Sequence, residues 1–357
     1  MTPANARESV PVRVRSCTGT WQLDSITVPP GSLLNGVSAT SPTDVWAVGS
    51  AGNDPLFLHW DGTSWTQVSA PRVGAFDWLA AVSASSPTDA WAVGFYQTSL
   101  SGGPRTLTFH WDGTAWTSVP SPNPSTSQNN LYAVSDGPGG TWAVGAYLDG
   151  DWKTLALQLV EGSWVQVPTP NPGKFPSGSL FGVAGFSAKR VTAVGTRDFG
   201  GSGNGFAEGW DGEAWQLLAK PRAPDASFNA LAAAPSGDLM AAGVDPSGAI
   251  GAHWSRGSGW TSSRVALPPD EFGKFVGVAW SSDTTAWAVG ETENSDGSKT
   301  RTLIASWDGS AWTVVPSIDP DPTSSGLVAV TTASGQAWAV GGYGHSGSGG
   351  PMIESYC

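Results

Sequence analysis

The string Trp-Ala-Val-Gly occurs at Trp46, Trp91, Trp142, Trp287 and Trp338, and two degenerate forms, "VTAVG" and "LMAAG", put Thr192 and Met240 in the same slot. Successive slots lie 45 to 51 residues apart. A repeat of that period means that each unit is one supersecondary motif, able to bury its apolar face only against copies of itself. Each unit reads as four short strands. The first has the form "LAAVSA" (residues 79–84), with copies beginning at Leu34, Leu131, Leu180, Leu231, Phe275 and Leu327. A "SPTD"-type turn leads into the "WAVG" strand, and a variable connection into a third strand such as "TLTFHW" (residues 106–111). An Asp-Gly turn then gives the fourth strand, as in "WTSVP" (residues 116–120).

Seven such units predict an all-β fold, a seven-bladed β-propeller with four antiparallel strands per blade. Two positions after the leading residue of the first strand stand Gly36, Ala81, Ala133, Gly182, Ala233, Gly277 and Ala329, small residues that suit strands crowded around an axis. The abundance of Gly (47) and Pro (27) against 13% charged residues fits many strands joined by turns rather than helices. Asp-Gly predicts a tight hairpin with both central residues at φ > 0. Seventeen of the 20 tryptophans fall in three repeat slots, which assigns them to the packing between blades.

The seventh unit stops after its third strand, "PMIESYC". The missing fourth strand is at the other end, where "CTGTWQLDSI" from Cys17 matches "DGSAWTVVPSI" and puts Trp21 in the fourth-strand slot. The propeller is therefore expected to span 17–357, with 1–16 as a flexible leader that lacks the apolar run of a signal peptide. Cys17 and Cys357 fall at the same turn of the last blade and are expected to form a disulfide. It would close a loop worth at most about 5–6 kcal/mol in chain entropy and would imply a secreted, extracellular protein.

Strand alternation puts the short first-to-second and third-to-fourth turns on one face. The second-to-third and fourth-to-first connections, read as long and different in every blade, share the other. Loops on a rigid scaffold are where binding residues concentrate. Ligand-binding candidates on that face are Trp78 with Asp77, Trp152 with Asp149 and Asp151, and Tyr96, Tyr147, Phe199, Tyr343 and His345. Aromatic faces beside hydrogen-bonding groups suit sugars. Trp280, beside a short turn, is read as local packing.

A net charge of −12 argues against a nucleic-acid backbone as partner, because counterion release needs clustered Lys and Arg. No run of about 18 apolar residues is present, so membrane insertion is not expected. His59, His110 and His253 share one repeat slot and read as repeat residues. No HExxH, GxSxG or phosphate-loop pattern appears, and "NSDGSKT" and "DPDPT" do not match a calcium loop. Neither cofactor, metal nor catalytic residue is expected, and the chain is read as a non-enzyme.

"WDGTAW" resembles the Asp box of sialidases, one residue shorter, and in those enzymes the motif is a structural turn. The "WAVG…HWDGxxW" repeats resemble those of secreted bacterial, notably actinobacterial, propellers, some of which are lectins, including lectin subunits of umbrella toxin particles. That resemblance implies a recognition module for a glycan or a protein or peptide partner, acting through the variable-loop face or the central channel. It could serve as one subunit of a hetero-oligomeric complex. Seven-bladed bacterial lectins usually repeat their sugar site from blade to blade, whereas the loops here diverge. A structural scaffold and a glycoside hydrolase-like propeller are the competing readings.

Overall fold

The computed structural model describes residues 19–171, 177–197, 204–219, 223, 225–344 and 349–357. It consists of seven four-stranded antiparallel sheets. Blades one to six run through residues 32–68, 76–118, 128–167, 178–217, 227–264 and 271–315. Blade seven combines 325–356 with Trp21–Leu23. The first strand of every blade lines the axial cavity.

Every first strand carries a β-bulge, between Leu34 and Gly36 in blade one, Leu79 and Ala81 in blade two, and at the same point in the others. The bulge bends the strand toward the axis and drives its backbone onto the neighbouring "WAVG" strand. A Cβ on Gly94 would lie 1.9 Å from the Trp78 carbonyl oxygen, and one on Gly49 1.9 Å from that of Leu33. The repeat therefore ends in glycine because nothing larger fits under the bulge.

In blade five the bulge falls between Phe228 and Ala230, three residues before the expected Leu231 and Ala233. The stretch "FNALAAA" offers two apolar starting points. The partner strand selects the earlier one, since Ala242, two residues after the Met240 slot, pairs with Ala230.

Between blades, the repeat tryptophans interlock. Trp46 of blade one lies 4.8 Å from Trp111 and 5.1 Å, edge-on, from Trp116 of blade two. Trp142 meets Trp210 and Trp215 of blade four at 5.2 Å each, and Trp91 meets Trp164 edge-on at 5.1 Å. Such geometry contributes about 0.5–1.5 kcal/mol per pair beyond the area buried.

The Asp-Gly turns differ from the expected two-residue hairpin. Trp60 pairs with Trp65, leaving the four-residue loop 61–64 in which, of Asp61 and Gly62, only Gly62 has positive φ (+93°). Asp61 Oδ1 accepts hydrogen bonds from the backbone N–H of Thr63 (2.8 Å) and Ser64 (2.9 Å), so the aspartate closes the turn with its side chain. Asp112, Asp211 and Asp308 do the same.

The second-to-third connections are not all long. Blades one, three and five turn tightly, from Ala51 to Asp54, Asp149 to Asp151 and Asp245 to Gly248. Blades two and six keep extended loops, from Gln97 to Arg105 and Asn294 to Thr300.

The ring closes as expected. Trp21–Leu23 pairs with the third strand of blade seven, Trp21 opposite Tyr356 and Leu23 opposite Glu354. Gly19 N–H donates to the Cys357 carbonyl at 2.7 Å. Buried Asp24 bolts this seam to blade one: Ser355 Oγ donates to Oδ1 (2.7 Å) and Trp65 Nε1 to Oδ2 (2.9 Å). Cys17 and the leader 1–16 lie outside the described residues.

Gly94→Ala is expected to destabilise at or beyond the upper end of the roughly 1–3 kcal/mol typical of overpacking. Gly137→Ala, where a Cβ would meet nothing within 4 Å, is the neutral control in thermal unfolding.

Candidate functional site

On the variable-loop face, blade two presents an aromatic stack. The first strand enters as Phe76-Asp77-Trp78, so Phe76 and Trp78 project from one side of the sheet while Asp77 projects from the other. Register places Phe95 opposite Trp78. The three half-buried rings lie 6.0 to 6.3 Å apart, Trp78 nearly parallel to both phenylalanines.

The stack sits on a tied-down loop. Asp77 is fully buried and its carboxylate accepts the backbone N–H of Val73 (2.7 Å) and Gly74 (2.8 Å). It shapes the loop and is withdrawn from any ligand. Arg72 Nε donates to the Gly74 carbonyl at 2.8 Å and its guanidinium pairs with Asp54 at 3.2 Å. Tyr96 packs half-buried against the core shared with blade one. Val73 and, on the long loop of blade two, Leu100 are exposed, Leu100 at 71%.

Blade three supplies the second group. Asp149, Gly150 and Asp151 form the tip of a tight hairpin, with Trp152 opposite Leu148. Trp152 is half-buried, both aspartates are exposed, and Lys153 donates to Asp149 at 2.6 Å. Tyr147 packs onto the core between blades two and three. Tyr343, on blade seven, packs against the core that contains Trp21. Phe199 and His345 lie outside the described residues. Trp280 is buried, donating from Nε1 to the Ala232 carbonyl at 3.2 Å, in keeping with local packing.

Phe76 and Phe95 were missed because neither occupies a repeat slot. The alternation in "FDW", read with the bulge register, would have found both.

The axial channel narrows where the seven bulged residues meet, among them Asn35, Tyr132, Phe181 and Asn229, around a cavity of about 160 Å³. Asn35 and Asn229 spend their amides on the carbonyls of Leu79 (2.8 Å) and Phe275 (2.9 Å) of the next blades. The Tyr132 ring lies 5.1 Å from that of Phe181, and burial pushes its hydroxyl up to about 12. No Asp, Glu, Lys, Arg or His side chain lines this waist.

The repeat histidines each bind the aspartate of their own blade's short turn: His59 to Asp44 at 2.7 Å, His110 to Asp89 at 2.8 Å, His253 to Asp238 at 3.0 Å. The first two also lie 4.5 Å from Trp46 and Trp91. Asp319 caps Thr302, and Asp296 caps Ser298. Among the described residues no group of three or more His, Cys, Asp or Glu side chains could hold a metal ion.

Two carboxyls are buried deep between blades, Glu208 in blade four and Glu354 in blade seven, both two residues before the aromatic that ends the third strand. Burial pushes each up to about 8. The Ile318 N–H donates to Glu354 at 3.2 Å. The corresponding residue beside Glu208 is Pro170, placed by the matching bonds of Asn171 to Thr154 and Asp319 to Thr302. Proline has no N–H to give. Neither Glu208 oxygen finds a hydrogen-bond partner among the described residues.

No family model and no curated protein matches this chain. Among solved structures it is similar to YCF48 bound to D1 peptide, at 14% identity and a TM-score of 0.57, covering 94% of this chain and 96% of that one. It is also similar to the WD40 beta propeller domain of Doa1 (14% identity, TM-score 0.59, 94% and 97% covered). A third is virginiamycin B lyase from Staphylococcus aureus (12% identity, TM-score 0.62, 94% and 100% covered). These likenesses define the class, a seven-bladed β-propeller.

The buried carboxyls fix a pH dependence. Below the ordinary glutamate value of 4.5 both side chains are protonated in folded and unfolded chains alike; between 4.5 and about 8 only the unfolded chain ionises. Stability from this source therefore falls as pH rises through that window and levels off above it. The melting temperature is expected to be higher at pH 5 than at pH 8, and Glu208→Gln to remove part of that slope in scanning calorimetry.

Proposed function

We propose that this chain is a non-catalytic recognition module whose partner is a protein or peptide, engaged on the rim of blade two. The observation that carries the reading is the Phe76–Trp78–Phe95 stack, half-buried and held by Asp77 and Arg72, with exposed Leu100 and Val73 on the adjoining loops. Rigid aromatic anchors amid exposed apolar residues are what hot spots in protein interfaces use. A fixed loop also lowers the entropy of ordering on binding. The likeness to a propeller solved with a bound peptide supports the same direction.

A glycan is the second reading, favoured by half-buried Trp152 between the exposed Asp151 and the Lys153–Asp149 pair. It accords with the resemblance to secreted bacterial propellers that include lectin subunits of toxin particles.

We place the protein outside the cell, as one subunit of a larger assembly, and the last blade latched by a Cys17–Cys357 disulfide. The Gly19 to Cys357 hydrogen bond of 2.7 Å brings the chain two residues from Cys17 alongside the other cysteine. Among the described residues no cysteine is a free thiol.

Affinity capture from the producing culture tests the partner. Trp78→Ala with Phe95→Ala is expected to weaken the captured protein's binding by about 2 kcal/mol or more, roughly 30-fold. Unchanged capture would overturn the reading, and a glycan-array signal lost on Trp152→Ala would transfer it to the lectin alternative. Peptide mapping without reductant is expected to find residues 17 and 357 linked; two alkylated thiols would remove the latch.

A further inference from the structure

We infer that the groove between blades four and five, on the short-turn face, is a receptor for an aromatic side chain of a partner protein that carries a carboxylate beside it. The repeat itself identifies the occupant. At five of the seven slots the second strand contributes an indole that enters the space between blades. Trp46 settles between Trp111 and Trp116, Trp142 between Trp210 and Trp215, and Trp287 against Tyr356 (5.0 Å) and Trp21 (5.3 Å). Met240 fills the sixth.

At the seventh, blade four has Thr192 in the slot, and opposite it Gly209 where blades one and two have His59 and His110. Blade five nevertheless keeps both receiving rings, Trp254 and Trp260. The result is a cavity of about 550 Å³ lined by Thr192, Gly209, Trp254 and Trp260. Leu218 leans over Gly209 but remains 40% exposed.

The rim has the opposite charge to its counterparts. Two residues before the slot, where blades one, two and five have Asp44, Asp89 and Asp238, blade four has Arg190, preceded by Lys189. The Arg190 guanidinium lies 5.7 Å from the centre of the Trp254 ring and 5.0 Å from that of Phe186. The nearby Asp211 is occupied by the backbone N–H of Glu213 and Ala214 and by the Gln216 amide (2.7 Å). On a protein of net charge −12 this is a local cationic edge against an indole wall. An aromatic residue next to Asp or Glu matches both features.

This site is independent of the blade-two stack on the opposite face, and Trp78→Ala should leave it unchanged. Isothermal titration with N-acetyl-Trp-Glu-amide and N-acetyl-tryptophanamide tests it, with N-acetyl-leucinamide and methyl glucoside as controls. Saturable binding is expected near about 1 mM or tighter for the first, weaker for the second, and none for the controls.

Thr192→Trp, which rebuilds the packing of the other blades, should raise the melting temperature and weaken binding at least about tenfold. Gly209→His blocks the same space should the first variant not fold. Arg190→Ala should erase the preference for the glutamate-bearing probe. Absence of saturable tryptophan binding, or binding indifferent to both blocking variants, would overturn the proposal. So would glucoside binding that those variants abolish, because the groove would then be a sugar site.

Discussion

The closed ring depends on one contact made over and over, an indole set edge-on into the neighbouring sheet. Trp46 against Trp116, Trp91 against Trp164, Trp142 against Trp215 and Trp287 against Trp21 share the same T-shaped geometry at 5.1 to 5.3 Å. A sheet with one face against each neighbour has no core of its own; its apolar area is removed from water only when the next blade is in place. The seam at blade seven is therefore a condition on the whole molecule. Trp21 supplies its indole from the far end of the chain, and Asp24 ties that strand to Ser355 and to Trp65 of blade one.

The axis imposes the second constraint. Seven bulges bring seven strands close enough to narrow the channel, and each requires a glycine beneath it, so architecture consumes the inner surface. Chemistry that varies between blades is left to the two rims. On one, the loop leading into Trp78 is braced by Asp77. On the other, a slot that lost its indole left two tryptophans of the next blade facing a groove.

The repeat slots, the four-strand unit and the closing strand could be read directly from residues, because periodic tryptophans and glycines mark them. Features that depend on pairing could not. The bulge shifts register by one residue without altering composition, and it moved blade five from Leu231 to Phe228. Tight turns in blades one, three and five looked like loops, because Gly52, Gly150 and Ser247 resemble loop residues until their strands are paired. Asp77 looked like a ligand because a polar residue beside an aromatic reads that way; its burial is a tertiary fact. Phe95 reaches Trp78 only across the sheet.

Of the chain's seven Asp-Gly links, the four in the third-to-fourth turns carry a consequence for durability. Such dipeptides age by attack of the glycine nitrogen on a protonated side-chain carboxyl, giving a succinimide and then an isomerised backbone. Here Asp61 and Asp112 are held down to about 2, chiefly by the hydroxyls of Thr63 and Thr114, and Asp211 and Asp308 are lowered by the same kind of turn. An anion pinned by two backbone donors is a poor electrophile. The turn that shapes these four blades thus also shelters its own Asp-Gly link from slow chemical decay.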